Sequence, residues 1–228
     1  LSPPEDLNDG AKPRRTLDIG RTFAYAFRDE TWFSKCICIG LLSIVIVGFF
    51  VGTGYVAKIA KQTSEGKDLP LPDIDFEEDL KSGLEYFFAL VFYFLIFLSI
   101  TLLLISPWLI PLLSNNGTDN GQLVAVPINI VVLLLEIVFA IYYCSSLSIA
   151  MVEENPWAIF HFRRTIPMIF KNKWKCLGAS FMIFLFNFIG QIGVWMCFIG
   201  LIITVPLSGL WRGHLYGQMG LIMKETNK

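Results

Sequence analysis

The chain has 228 residues, of which 54% are hydrophobic and 16% are charged, and its mean hydropathy is +0.60. This balance excludes an ordinary water-soluble globular domain and is typical of an integral membrane protein. The net charge of -1 disfavours nucleic acid as a partner, because no excess of basic residues is available to bind phosphates.

The first residues differ from the rest of the chain. Residues 1–15 contain three prolines and mixed charge, which predicts a disordered or partner-bound tail. Residues 16–228 are expected to form a single membrane domain. It begins with an amphipathic interfacial helix over residues 16–31. The apolar face of this helix comprises Leu17, Phe23, Ala24 and Phe27. The polar face comprises Asp18, Arg21 and Arg28.

The first long apolar region, residues 33–60, has basic residues on both sides. Basic residues stay on the cytoplasmic side of a membrane, so a single crossing would place one basic cluster on the wrong face. A re-entrant segment or short hairpin, broken at glycines, keeps all of them inside, and we expect this arrangement in preference to a single crossing. The glycines available for the break are Gly40, Gly48, Gly52 and Gly54.

The middle of the chain predicts a helical hairpin. An acidic cytoplasmic loop over residues 61–85 leads into a membrane helix over 86–112. A polar turn over 114–122 contains no Lys or Arg, which places it on the external side. A second membrane helix over 123–151 then returns to the cytoplasm.

The last third predicts one more surface helix and two more membrane helices. Asn155 followed by Pro156 is a helix start signal, and it begins an interfacial helix over residues 156–171. The apolar run that follows is too long for one crossing. We expect helices over 174–190 and 194–223, separated at Gly190 and Gly193. The second of these helices is expected to bend at Pro206.

Together these elements predict an all-α, polytopic bundle in the cytoplasmic (inner) membrane. It has five or six membrane segments and two interfacial amphipathic helices. The basic clusters place both termini on the cytoplasmic side.

Several stretches carry a family resemblance. They are FAYAFRDETWFSKCICIGLLS, the pair Gly54-Tyr55, the loop EGKDLPLPDIDFEEDLKSGLEYF, and GHLYGQM near the end. Over roughly residues 17–222 the chain resembles the prokaryotic membrane proteins grouped as domain of unknown function 4013. Ile46 stands where a helix-breaking proline is expected in that family. The resemblance implies a membrane architecture in a prokaryote and no particular reaction.

Glu136 is the sharpest single candidate for a functional residue. A carboxylate within a membrane helix is costly unless it is protonated, paired or hydrated, so we expect it to avoid lipid. Its functional interpretation is a proton or cation site, and its structural interpretation is an ion pair or hydrogen bond inside the bundle. Arg212 and His214 are the expected partners, and a Glu136–Arg212 pair is our hypothesis.

Other polar residues in apolar helices have simpler explanations. Asn129, Asn187 and Gln191 are expected to make interhelical hydrogen bonds worth about 1 kcal/mol or less each, with pore lining as the alternative. His161 and His214 are weak candidates for binding a metal or the magnesium of a pigment. We predict no cofactor and no metal, but we expect bound lipids.

An acidic cluster lies in the predicted loop over residues 61–85. It lacks the glycine and spacing of an EF-hand, so we interpret it as a solvated loop that docks a basic partner rather than as a calcium site. Its members are Asp73, Asp75, Glu77, Glu78 and Asp79.

No catalytic motif is present in the sequence, which lacks a Ser-His-Asp order, a phosphate-binding loop and an HExxH pattern. We therefore predict a non-catalytic protein. The leading prediction is a scaffold or accessory subunit that packs against lipids and other membrane subunits, with an energy-transducing complex as one setting. The alternative is a transporter of a small solute, ion or lipid that uses Glu136 and Arg212.

Overall fold

The structure, a computed structural model, describes residues 16–44, 46–67, 70–113, 120–195 and 198–226. The described chain contains eight α-helices and no strand, which confirms the all-α prediction. The helices are α1 Ile19–Phe27, α2 Trp32–Ile44, α3 Ile46–Ser64, α4 Phe76–Leu113, α5 Asn120–Glu153, α6 Phe162–Lys171, α7 Lys173–Trp195 and α8 Phe198–Thr226. A 3-10 turn, Pro156–Phe160, precedes α6.

Within the described ranges, three helical segments are long and apolar enough to cross a membrane by length and composition. They are Phe76–Leu103 in α4, Ile130–Glu153 in α5 and Lys173–Ile192 in α7. The apolar part of α2, Trp32–Ser43, is shorter. A helix of 13 residues, such as α2, rises only about 20 Å, less than the hydrocarbon thickness of about 30 Å. The count of five or six membrane segments stays a prediction.

The first apolar region is two helices that pack side by side. A side chain at Gly48, near the start of α3, would overlap the backbone of Leu42 in α2. One turn further along, a Cβ at Gly52 would lie 3.5 Å from Cγ2 of Ile39. Later residues of α3 therefore contact earlier residues of α2, so the two helices are antiparallel. The region is a helical hairpin rather than one continuous helix, although Ile46 is not a proline.

Helix α3 packs closely against α4 through two glycines that face each other's backbones. A Cβ at Gly54 in α3 would overlap the carbonyl oxygen of Asp79 in α4. In the reverse direction, a Cβ at Gly83 in α4 would overlap the carbonyl oxygen of Phe50. Small residues at both positions allow the helix backbones to touch, which is the usual way that helices associate in membranes.

Helix α8 packs on another face of α3 through a repeat of glycines four residues apart: Gly209, Gly213 and Gly217. A Cβ at Gly213 would lie 3.0 Å from the carbonyl oxygen of Val56. A Cβ at Gly217 would lie 2.5 Å from the carbonyl oxygen of Ala60. Helix α3 therefore packs against α4 and α8 through glycines that permit backbone contact.

Helices α4 and α5 contact each other from Tyr86, whose hydroxyl donates to the Ala150 carbonyl oxygen at 3.1 Å, as far as Phe97, and then expose their apolar side chains. The Tyr93 hydroxyl donates to the carbonyl oxygen of Phe139 at 3.2 Å, and the rings of Phe97 and Phe139 are 4.5 Å apart. Beyond this level most side chains of residues 94–103 and 130–138 are exposed. We call these two ranges the outer limb. The predicted polar turn that joins the two helices lies largely outside the described residues.

The break between the last two helices, α7 and α8, is not at the predicted glycines. Helix α7 runs past Gly190 and Gly193 to Trp195, so that part of the prediction is wrong. A Cβ at Gly190 would lie 2.8 Å from the Ser208 hydroxyl, so this glycine allows α7 to approach α8. Glycine is tolerated inside membrane helices and is used there for packing. Pro206 lies inside α8.

The start signal at Asn155-Pro156 is confirmed, but the predicted continuous helix over 156–171 is the 3-10 turn followed by α6, which has no side-chain cap of its own. The Asp18 carboxylate accepts from the Arg21 backbone at the start of α1, and the Asn155 side chain accepts from the Trp157 backbone at the start of the 3-10 turn. The apolar face predicted for α1 is not the face that packs in the protein core. Phe23 and Phe27 are exposed at 37% and 53%, and the buried face comprises Thr22, Tyr25 and Ala26. Helix α1 uses that buried face to pack on α8, while Phe23 and Phe27 pack at the edge of the protein against Trp211 and Trp32.

Two glycine substitutions test the packing of α3 against α8. Gly217→Ala should destabilise the protein by about 1–3 kcal/mol, because the added methyl group meets the backbone of α3. Gly178→Ala in α7 is the matched control, since no atom lies within 4 Å of a Cβ there. The control should be neutral or slightly stabilising, because alanine favours a helix by about 1 kcal/mol over glycine. Thermal unfolding in detergent measures both, and equal effects would contradict the packing described.

Candidate functional site

A buried carboxylate organises the corner between α1 and α2. Asp29 accepts hydrogen bonds from the backbone and hydroxyl of Thr31 at 2.7 and 2.5 Å, and from the Leu71 backbone at 2.7 Å. The Lys35 ammonium lies 3.8 Å from Asp29 and donates to the Leu71 carbonyl oxygen at 2.7 Å. The same ammonium lies 3.6 Å from Asp73. This corner therefore binds the segment that leads into α4.

Helix α3 holds the same segment from the other side. The Tyr55 hydroxyl donates to the Pro72 carbonyl oxygen at 2.9 Å, and the Gln62 amide donates to the Pro70 carbonyl oxygen at 2.6 Å. Prolines have no backbone N–H, so this segment cannot form its own helical hydrogen bonds. Its carbonyl groups accept from side chains of α2 and α3 instead. Residues 70–73 of the Leu-Pro-Leu-Pro-Asp motif thus have a structural role, because they join the Asp29 corner to α3. Leu71 among them is buried, at 1% exposure.

The predicted acidic docking loop is mostly the start of a helix. Asp75 caps α4 by accepting from the backbones of Glu77 and Glu78, each at 3.1 Å. The Lys58 ammonium pairs with Glu78 at 3.1 Å and with Asp79 at 3.3 Å. Asp79 is buried at 1% exposure and is therefore not available to an outside partner. Asp73, Asp75, Glu77 and Glu78 are exposed, so most of the cluster is open to solvent, and docking of a basic partner stays a prediction.

The environment of Asp29 favours its ionised form. Burial alone would raise its pKa, but the hydrogen bonds from Thr31 and Leu71 and the charge of Lys35 together hold the pKa below its ordinary value of 3.8. The folded protein therefore stabilises the charged form of Asp29 relative to its protonated form.

A second site is an apolar cleft between α2, α3, α4, α5 and α8. Its volume is about 190 Å³. The walls are mainly apolar and aromatic, including Phe49, Phe87, Leu90 and Pro206. Arg212 is the charged residue among those that line the cleft.

Neighbouring residues use only part of the hydrogen-bonding capacity of the Arg212 guanidinium group. One of its terminal nitrogens, Nη1, donates to Oδ1 of Asn187 at 2.7 Å, and Nε donates to the Ser208 carbonyl oxygen at 3.3 Å. In the described part of the chain Arg212 has no carboxylate partner. The predicted Glu136–Arg212 pair is therefore not formed. Asn187 takes part in an interhelical hydrogen bond, and its partner is this arginine.

Glu136 lies on the outer limb, with its side chain exposed. Its neighbours Leu133, Leu134 and Ile137 are exposed at 56%, 57% and 46%. Glu136 makes no hydrogen bond or ion pair to any residue that the structure describes. The expectation that it would be turned into the bundle is wrong, because α5 makes few contacts at this level.

The other predicted polar residues do not come together. His214 is buried, contacts the Thr22 hydroxyl at 3.1 Å through Nδ1, and stacks on Tyr25 at 4.4 Å between ring centroids. His161 is exposed at the junction between the 3-10 turn and α6. Gln191 is also exposed. The Asn129 side chain lies outside the described residues.

The role of His214 in packing α1 against α8 was not predicted from the sequence. Gln218, one turn further along α8, donates from Nε2 to the Asp18 carbonyl oxygen at 3.2 Å, and its Oε1 accepts from the Asp18 backbone at 2.8 Å. Together with the His214 contact to Thr22, these bonds fix α1 on α8. The GHLYGQM motif carries the signal, because its polar residues are four apart and fall on one helix face.

This arrangement defines an all-helical chain with three helices of membrane length, compatible with a membrane protein. The family model described as Protein of unknown function (DUF4013) matches residues 38–199. The chain therefore belongs to the DUF4013 family. The FAYAF and GHLYGQM stretches lie outside the matched range. Comparison with curated proteins and with solved structures gave no match.

The Asp29 corner gives a prediction of pH dependence. A carboxyl group whose pKa is lower in the folded state contributes stability above its ordinary pKa, and this stability is lost as the pH falls through the folded-state value. At pH 7, Asp29→Asn should lower the free energy of unfolding by about 1–3 kcal/mol. The difference from the unsubstituted protein should shrink as the pH falls below 3.8, the ordinary pKa of this carboxyl group.

Thermal unfolding in detergent between pH 7 and pH 3 measures this difference directly. Glu30→Gln is the control, because it removes an adjacent but exposed carboxylate. The role given to Asp29 would be contradicted by a stability difference that persists unchanged at pH 3.

Proposed function

We propose that this protein is a non-catalytic accessory subunit of the cytoplasmic membrane. Its outer limb docks a transmembrane helix of another membrane protein, and that helix supplies a basic or hydrogen-bond-donating group to Glu136. The exposed and unpartnered Glu136 side chain is the observation that carries this proposal.

The position of Glu136 along α5 makes its exposure costly in lipid. It lies about 26 Å along the helix axis before Glu153, at about 1.5 Å per residue, within the span of a hydrocarbon layer about 30 Å thick. Insertion measurements give about 2.5–3.5 kcal/mol for a charged residue at the centre of a membrane helix, which is an upper value for Glu136 because it lies toward the far side of the layer. A donor on a neighbouring helix would offset this cost.

Contact with lipid is sufficient to solvate the apolar side chains of the outer limb, but it is not sufficient for the Glu136 carboxylate. Exposed residues such as Leu103, at 74%, and Val131, at 65%, are well solvated by acyl chains and need no protein partner. A carboxylate has no acceptable partner among acyl chains. Charge complementarity therefore favours a protein helix, rather than lipid, at the level of Glu136.

The contacts at one end of the bundle support the proposed orientation. Lys61 near the end of α3 pairs with Glu154 just after α5 at 2.6 Å. Lys224 in the last turn of α8 donates to the Val152 carbonyl oxygen at 3.4 Å. The ends of α3, α5 and α8 thus lie on one side, together with their basic residues. The distribution of basic residues favours the cytoplasm for that side, and with it the C-terminus.

The transporter alternative has weaker support. A transport route that uses both Glu136 and Arg212 needs the two side chains along one cavity. Arg212 lines the cleft, whereas Glu136 is not among the residues that line it. Because Glu136 lies outside the cleft that Arg212 lines, docking of a partner has more support than transport along a path that contains both side chains.

Substitution of Glu136 should weaken binding of the partner. Photocrosslinking residues placed at Ile137 on the outer limb and, as a control, at Phe184 on α7 should give a protein adduct in native membranes only from Ile137. Glu136→Leu should reduce that adduct by about tenfold, since removing one partner of a buried polar pair typically costs more than 1 kcal/mol. The matched substitution Leu133→Ala on the same exposed surface should leave it nearly unchanged.

Mass spectrometry of the adducts separates the outcomes. The expected result is an adduct to a membrane protein of different sequence. This adduct should be lost in Glu136→Leu and kept in Leu133→Ala. Adducts to lipid alone, or to a second copy of this chain, would refute docking of a different subunit.

A further inference from the structure

The cleft that contains Arg212 has the chemistry of a site for an anionic lipid. We propose that it binds one anionic phospholipid from the bilayer, with the lipid phosphate at Arg212 and the first part of an acyl chain along the aromatic walls. The site is separate from the outer limb and does not depend on the proposed docking function.

The polar end of the cleft presents donors. A guanidinium group has five N–H groups, and the two hydrogen bonds that Arg212 makes leave its Nη2 amino group without a partner among the described residues. The hydroxyls of Tyr143 and Tyr216, which line the same cleft, make no hydrogen bond within the described chain. A cation flanked by two hydroxyl donors fits a phosphate oxygen.

The unpaired charge also needs an anion. With no carboxylate in reach among the residues that the structure describes, Arg212 is held among apolar walls by one amide and one carbonyl oxygen. A charge in such surroundings is expensive unless it is paired. A phosphate supplies the missing negative charge, and guanidinium binds phosphate through two parallel hydrogen bonds.

The rest of the cleft fits an acyl chain rather than a soluble anion. Phe49 of α3 and Leu90 of α4 line the cleft and are exposed at 58% and 37%, so its wall reaches the apolar outer surface of these helices. Phe87 lies behind them, with its ring 6.4 Å from that of Phe49. An amphiphile can enter sideways from the bilayer through this apolar wall. The volume of about 190 Å³ holds part of one chain, and the remainder stays in the membrane.

Native mass spectrometry of the full chain tests the assignment. The protein is reconstituted with equal amounts of phosphatidylglycerol and phosphatidylcholine and then released from the bilayer. The unsubstituted protein should retain one phosphatidylglycerol preferentially, and Arg212→Gln should reduce this preference about tenfold. Arg164→Gln is the control, because it removes the same charge at a surface residue that pairs with Glu153 outside the cleft.

Three outcomes would overturn the proposal. They are an unchanged preference in Arg212→Gln, an equal loss in Arg164→Gln, and displacement of the lipid by inorganic phosphate or glycerol phosphate. The last would show a site for a soluble anion.

A second measurement uses the unsubstituted protein, so that it does not depend on the folding of a variant. Phosphatidylglycerol with a photoreactive group in its acyl chain should label peptides of α3 and α4 that line the cleft. Label confined to α7 and the outer limb would contradict the proposed site.

Discussion

A charged group that leaves water must find another partner, and this constraint separates the charged sites of the molecule into three kinds. Asp29 is fully matched inside the fold by Thr31, Leu71 and Lys35, so its role is structural. Arg212 is matched in part, which leaves donor capacity directed to a cleft. Glu136 is unmatched within the described residues. The extent to which the fold satisfies each group therefore indicates where the protein requires something from outside.

The glycine contacts around α3 explain why these sites are kept apart. Gly54 and Gly83 bring α3 against α4, and Gly213 and Gly217 bring α8 against another face of α3. Where backbones touch, no space remains for a ligand. The cleft lies beside these contacts, lined by Phe49 and Phe87 as well as by Gly52 and Gly209. The outer limb begins beyond the last contact of α4 with α5, and it depends on its surroundings more than on the rest of the fold.

Much of the architecture could be predicted, because long apolar runs and helix caps are local signals. The hairpin in the first region followed from its flanking charges, and the cap at Asn155 followed from the Asn-Pro pair. The predicted break at a glycine is wrong, because Gly40 lies inside α2 and Gly48, Gly52 and Gly54 lie inside α3, where they allow close packing. The contacts between distant residues could not be predicted. Arg212 bonds to Asn187 and not to Glu136, because hydropathy identifies a membrane helix but does not give its rotation. The glycine at 190 was mistaken for a turn, since glycine marks both turns and close helix packing.

The most direct test of a subunit docked at Glu136 is an electron cryo-microscopy reconstruction of the particle extracted from its native membrane with a mild polymer. A second protein should lie along the outer limb, with a basic or amide side chain within about 3 Å of the Glu136 carboxylate. A particle that contains this chain alone, with only acyl-chain density beside Glu136, would contradict the proposal.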